Sequence, residues 1–176
     1  MKTVFAFFIR LSGFSIIAGS ASLAGCGLQP VYSGGSHGVA ATTLTGIAIA
    51  PIADRAGYLV AAALHDRFGT TVDHPRFRLE VELDDHIIGF GVRGDNSISR
   101  ERRTLRARFR VVTTTNGAVL LDATATSDAG VDRVSSDYAV VAAENTALDR
   151  LTADLASQIT ARITRFARDG GMSTTP

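Results

Sequence analysis

Residues 76–84 read Arg-Phe-Arg-Leu-Glu-Val-Glu-Leu-Asp, and residues 104–111 read Thr-Leu-Arg-Ala-Arg-Phe-Arg-Val. From Arg76 on, and from Leu105 on, apolar and charged residues alternate without a break. A period of two puts Phe77, Leu79, Val81 and Leu83 on one side of a strand, with Arg76, Arg78, Glu80, Glu82 and Asp84 on the other. In the second segment Leu105, Ala107, Phe109 and Val111 point inward, and Arg102, Arg106, Arg108 and Arg110 point outward. Strands with one apolar and one charged face belong to a sheet that is covered on one side only.

Outward from these strands the chain supplies the rest of that sheet and its cover. Gly89 to Asn96 holds three glycines and reads as the loop joining the two strands. Thr113 to Gly117 turns the chain into a third strand with Val119, Leu121, Ala123 and Ala125 on its apolar face. A two-residue Asn116-Gly117 turn would oppose Val111 to Asp122 and mix the faces. A three-residue turn from Thr115, with Gly117 left-handed, opposes Val111 to Leu121 and Phe109 to Ala123, which keeps one face apolar.

Upstream, Ile47 to Ile52 reads as a short strand ended by Pro51. Asp54 is placed to N-cap a helix over about 56–68 that stops at Gly69. Downstream, Val141, Leu148, Leu151, Leu155, Ile159, Ile163 and Phe166 mark a long helix over about 138–167. Ser136 or Asp137 caps its start, its acids precede its arginines as the helix dipole prefers, and Gly170-Gly171 stops it. The order β-α-β-β-β-α gives an α+β two-layer sandwich, a four-stranded mixed sheet with two helices on one face. We assign this domain to residues 44–169 and expect a disordered tail at 170–176.

The N-terminus carries an address. Lys2 and Arg10 precede an uncharged stretch from Leu11 to Ala24, which ends in Leu23-Ala24-Gly25-Cys26. A basic start, a short apolar run and small residues before a cut make a secretory signal. The final four residues resemble the lipobox of bacterial lipoproteins, which implies removal of residues 1–25 and lipidation of Cys26. The competing readings are a conventional secretory cleavage that leaves Cys26 an ordinary residue, and a membrane anchor, for which about 14 uncharged residues fall short of the roughly 20 that span a bilayer. Gly27 to Thr43, rich in Gly, Ser and Thr, reads as part of a lipidated flexible tether over 26–43.

Composition removes other classes. The chain has 18 Lys and Arg against 17 Asp and Glu, and loss of the signal would leave acids ahead by one. That balance gives no support to a nucleic-acid ligand. The single Cys leaves no disulfide or thiolate metal site. The four histidines are scattered without metal-ligand spacing, and Asp84 and Asp85, neighbours on a strand, point to opposite faces. No G-x-S-x-G or phosphate-cradling loop is present. We expect no catalytic residues, no metal and no cofactor, and a binding protein in place of an enzyme.

One constellation stands out. Arg100, Arg102, Arg106, Arg108 and Arg110 occupy even positions of one strand and so share a face, with Arg103 on the other side. Like charges stacked this way need neutralising. A cross-strand register opposing Glu80 to Arg108 and Glu82 to Arg106 would do part of it, leaving Arg110 opposite Arg78. The other reading is a surface for anionic groups such as lipid phosphates.

Cys26-Gly27-Leu28-Gln29-Pro30-Val31-Tyr32 resembles the start of mature LPS-assembly lipoproteins of the LptE family, which often open Cys-Gly-Phe-x-Pro-Leu-Tyr. Leu28 and Val31 depart from that pattern conservatively. Asp137-Tyr138-Ala139-Val140-Val141-Ala142-Ala143-Glu144 is similar to the corresponding segment of alphaproteobacterial members. The resemblance implies a plug within the outer-membrane β-barrel LptD, help in assembling that barrel, and delivery of lipopolysaccharide to the outer leaflet. It also implies an anchor on the periplasmic side of the outer membrane and lipopolysaccharide binding by basic residues, for which Arg93, Arg100, Arg102, Arg103 and Arg106 are the candidates. The alternative is an auxiliary binding lipoprotein of another envelope lipid-transport or peptidoglycan-synthesis complex.

Overall fold

The computed structural model describes residues 39–70, 72–92, 94 and 98–172. The two alternating segments form long antiparallel neighbours, and both run well past the quoted residues: Phe77–Val92 (β2) and Ile98–Thr113 (β3). Val119–Asp132 (β4) pairs antiparallel with β3, and the short Ile47–Ile49 (β1) pairs parallel with the start of β2. The sheet order is β1-β2-β3-β4. With Asp54–Phe68 (α2) and Asp137–Arg168 (α3) added, the architecture is the expected α+β sandwich on a mixed sheet.

A further short helix, Val39–Thr45 (α1), precedes β1. It occupies the last part of the stretch expected to be a tether, because Leu44 is apolar and buries in the core. Residues 1–38, including Cys26 and the rest of the signal and tether, lie outside the described residues. At the other end the chain stays with the domain past Gly170. Gly171 N–H donates to the Phe166 carbonyl at 3.0 Å, and Met172 is buried. An apolar side chain within reach of the core outweighs the freedom expected of a tail.

The core lies between the odd face of the strands and the helices. Leu79, Leu105, Phe109 and Val111 meet Val60 and Leu64 of α2 and Leu151, Leu155, Ile159 and Ile163 of α3, all essentially inaccessible to water. Gly57 lets α2 lie close on the chain before it, since a Cβ there would stand 2.7 Å from the Ile52 carbonyl oxygen. Asp54 does not cap α2. Ala53 holds the N-cap position without a side-chain bond, and Asp54 is the first helical residue, at φ 67°. Ser136 does cap α3, accepting from Ala139 N–H at 3.4 Å. The α3 stripe turns at its start, where Val140 is buried and Val141 exposed.

The β3–β4 pairing opposes Phe109 to Ala123 and Val111 to Leu121, as the face argument required. Gly117 is left-handed at φ 70°, a conformation that costs glycine little. The loop is one residue longer than expected, closed by Thr113 N–H to the Ala118 carbonyl, and an irregularity between Val111 and Val112 restores the register. The β2–β3 register differs from the one weighed for charge pairing. Glu80 faces Arg110, Glu82 faces Arg108 and Asp84 faces Arg106. The shift is two residues, so the faces are unchanged but every charge gains a new neighbour.

Candidate functional site

The outer face of the sheet is built by parity alone. Even positions of β3 put Arg100, Arg102, Arg106, Arg108 and Arg110 on the side away from the helices, and all five are exposed. The observed register pairs some of them internally. Arg108 makes two bonds to Asp122, at 3.1 and 2.8 Å. That contact holds the Arg108 proton more firmly and lowers the Asp122 carboxyl below the usual carboxylate range. Arg110 reaches Glu80 at 3.2 Å, and Arg78 reaches the same carboxylate at 2.7 Å. Arg100 meets Asp132 at 3.0 Å, both largely exposed.

Arg102 and Arg106 are different. Among the described residues Arg102 forms no ion pair, and it lies over the Phe90 ring, 5.6 Å from its centroid. Arg106 faces Asp84 in register but makes no ion pair with it. The ladder of internal pairs is therefore real but incomplete, and it leaves over Arg102 and Arg106 together with the exposed Glu82 and Asp84 on the same face.

The structure divides the sequence candidates. Arg100 and Arg102 stand together at the tip of the β2–β3 hairpin, and Arg106 lies farther along the same face. Arg103 is not with them. Its odd position turns it to the helix side, where its side chain is only 13% exposed and bonds Asp85 at 2.9 and 2.5 Å. It also donates to the Glu144 carbonyl at 3.2 Å, and the Asp85 bond keeps it firmly protonated. A cation satisfied this way is a structural tie, not a free ligand group. Arg93 lies outside the described residues.

The tip also has apolar members that the sequence reading missed. Ile88 (54% exposed) and Phe90 (41%) project on the charged face, beside Arg102 and Arg100 in register. Phe90, Arg100, Asp132, Arg133 and Val134 line an open groove of about 570 Å³. Tyr138 and Val141, at the start of α3, are exposed as well. The signal was present in the sequence. At Ile88 and Phe90 the even positions of β2, polar or charged until then, turn apolar.

Behind the tip, on the helix side, a charged cluster replaces the apolar core. Glu101 is 7% exposed and accepts from Arg133 at 2.6 Å. Its other oxygen has no hydrogen-bond partner among the described residues. Burial, and then the neighbouring Glu101 carboxyl, push the Glu144 carboxyl above the usual carboxylate range.

Comparison with known proteins agrees with this architecture. The sequence matches the family model LptE, Lipopolysaccharide-assembly, over residues 44–163. No curated protein sequence matches significantly. A solved structure from Caulobacter crescentus CB15, described as a lipoprotein, superposes with a TM-score of 0.63 at 22% identity, over 76% of this chain and 98% of that one. The rare lipoprotein B of Shewanella oneidensis gives 0.53 at 11% identity, over 70% and 96%. A minor lipoprotein of Acinetobacter baumannii gives 0.52 at 15%, over 68% and 88%. At these identities the likeness is one of fold. Among the described residues no helix is long and apolar enough to cross a membrane.

Proposed function

This chain belongs to the LptE lipopolysaccharide-assembly family, and from that premise we propose that it partners and plugs an LptD-type outer-membrane barrel and binds lipopolysaccharide at its hairpin tip. Cys26 is the lipidated first residue of the mature protein, which holds the domain on the periplasmic side of the outer membrane. Two acyl chains suffice for stable attachment, since each buried methylene contributes about 0.8 kcal/mol. The protein acts by binding and placement, without bond chemistry or a cofactor.

The observation that carries the binding reading is the juxtaposition at the tip. Arg102, in no ion pair among the described residues, and nearby Arg100 lie beside exposed Ile88, Phe90 and Val134. Guanidinium groups recognise phosphate through paired N–H donors, and the apolar neighbours suit the acyl part of the same ligand. A polar, Arg- and Thr-rich outer sheet face also suits the polar lumen of a large barrel.

Two measurements test this. Depletion of the protein lowers the assembled LptD-type barrel and surface lipopolysaccharide together, and unchanged barrel levels would overturn the partnership. Arg102→Glu with Arg106→Glu weakens lipopolysaccharide binding by about tenfold or more while the thermal unfolding midpoint stays within a few degrees. Unaltered binding would return this row to a surface ladder of charge pairs.

A further inference from the structure

β1 covers very little of β2. It pairs only with Phe77, Arg78 and Leu79, and the chain then leaves the sheet at Pro51, which has no N–H to donate. Phe77 N–H donates to the Gly46 carbonyl and the Leu79 carbonyl accepts from Ala50 N–H, at 3.2 and 2.9 Å. Odd residues of β2 thus aim their backbone groups at the β1 side. The β2–β3 register runs without a shift from Phe77 to Phe90, so the same parity holds at Val81, Leu83, Asp85 and Ile87. Among the described residues no strand meets these groups. A row of unpaired strand donors and acceptors is a template for another strand.

The side chains along this edge say what kind of strand fits. On the helix side, next to the edge, a cleft of about 510 Å³ is lined by Leu83, Ile87, Leu148, Ala56 and the Arg103–Asp85 pair, among others. Arg103 and Asp85 satisfy each other and Arg55 donates to Asn145 at the rim, so the walls nearest the edge, Leu83 and Ile87 with Ala56 and Leu148, can receive apolar side chains. On the outer side stand Glu82 and Asp84, both exposed and neither in an ion pair, since Arg108 is bonded to Asp122. We propose that the β2 edge from Val81 to Ile87 takes an extended segment of a partner protein as an added strand. That segment presents apolar residues to the cleft and basic residues, at alternate positions, to Glu82 and Asp84.

A second copy of this chain is a poor occupant. Two β2 edges brought together would set Glu82 and Asp84 against their own counterparts, and the β4 edge carries Asp122, Asp128 and Asp132 on the same outer side. Like charges directly opposite one another are destabilising. This inference uses a different edge and different residues from the lipid-facing tip, so either can fail alone.

The test uses the full chain in detergent, with amide hydrogen exchange read residue by residue. The probe is an end-blocked peptide of alternating Arg and Val, about eight residues long, beside the same peptide with Glu for Arg. The Arg–Val peptide is expected to slow exchange at Val81, Leu83, Asp85 and Ile87 by about tenfold, and the Glu–Val peptide to leave it unchanged. In Glu82→Arg with Asp84→Arg the preference reverses, with protection of the Phe109 amide reporting that the domain is folded. The proposal is overturned if the four amides are already protected in the free chain. It is also overturned if the Arg–Val peptide protects none of them, or if both peptides protect equally. The peptide pair decides on the unaltered chain even if the double variant does not fold.

Discussion

The two halves of the β2–β3 hairpin share one alternation and are put to opposite uses. Near Phe77 and Val111 the odd positions are Leu79, Val81, Leu105, Ala107 and Phe109, and both helices press on them. Near Phe90 and Arg100 the same odd positions hold Asp85, Arg103 and Glu101, and the helix side becomes a charged network reaching Arg133 and Glu144. Polarity on the outer face also reverses in part, since Ile88 and Phe90 follow Glu80, Glu82 and Asp84. One half is built to be stable. The other gives up apolar burial to hold a tip whose arginines and apolar groups remain available.

That contrast makes graded predictions. The largest effect belongs to the apolar half. Phe109→Ala should cost about 3–5 kcal/mol by lost burial and cavity formation, read as a lower midpoint in thermal or denaturant unfolding. A comparable loss from a tip substitution would erase the distinction between the halves. Next comes Arg133→Ala, which takes from the buried Glu101 the cation it bonds at 2.6 Å. It should cost about 1–3 kcal/mol, the penalty of a buried acceptor left short of partners. Adding Glu101→Gln should recover part of that loss, as a double-mutant cycle would show.

The smallest effect is the most specific. The Glu144 carboxyl is held above its ordinary value by burial and by Glu101, so folding favours its protonated form. The stability this contributes is full at acid pH and is lost as pH rises from the ordinary carboxylate range through the raised folded value. Glu144→Gln keeps a donor toward Glu101 and carries no charge. It should therefore flatten the decline of the unfolding midpoint between acid and neutral pH and raise the midpoint at neutral pH. An unaltered pH profile would mean that folding does not raise the Glu144 carboxyl.

Much of this was legible in the residues. The strand faces, the order of the elements and the Phe109–Ala123 register all follow from alternation and a left-handed Gly117. The β2–β3 register was not legible, because both candidate registers keep the same faces apolar and differ only in weak surface charge pairs. Arg103 illustrates the limit within the site. Parity placed it opposite the other arginines, but nothing local showed that Asp85 and the Glu144 carbonyl would bind it.

By itself the sequence determined which side of each strand and helix faces the core, since periodicity is a local property and apolar burial is the dominant favourable term. It also determined the candidate lipid address at Cys26 and the absence of any recognisable catalytic motif. Only the tertiary structure decided which charges neutralise one another. Ion pairs depend on a two-residue choice of register and on contacts between residues 18 or more apart, as in Arg103–Asp85 and Arg133–Glu101. Among the described residues that choice left Arg102 and Arg106 outside every ion pair, gathered Ile88 and Phe90 beside the tip arginines, and left no strand on the β2 edge beyond Leu79.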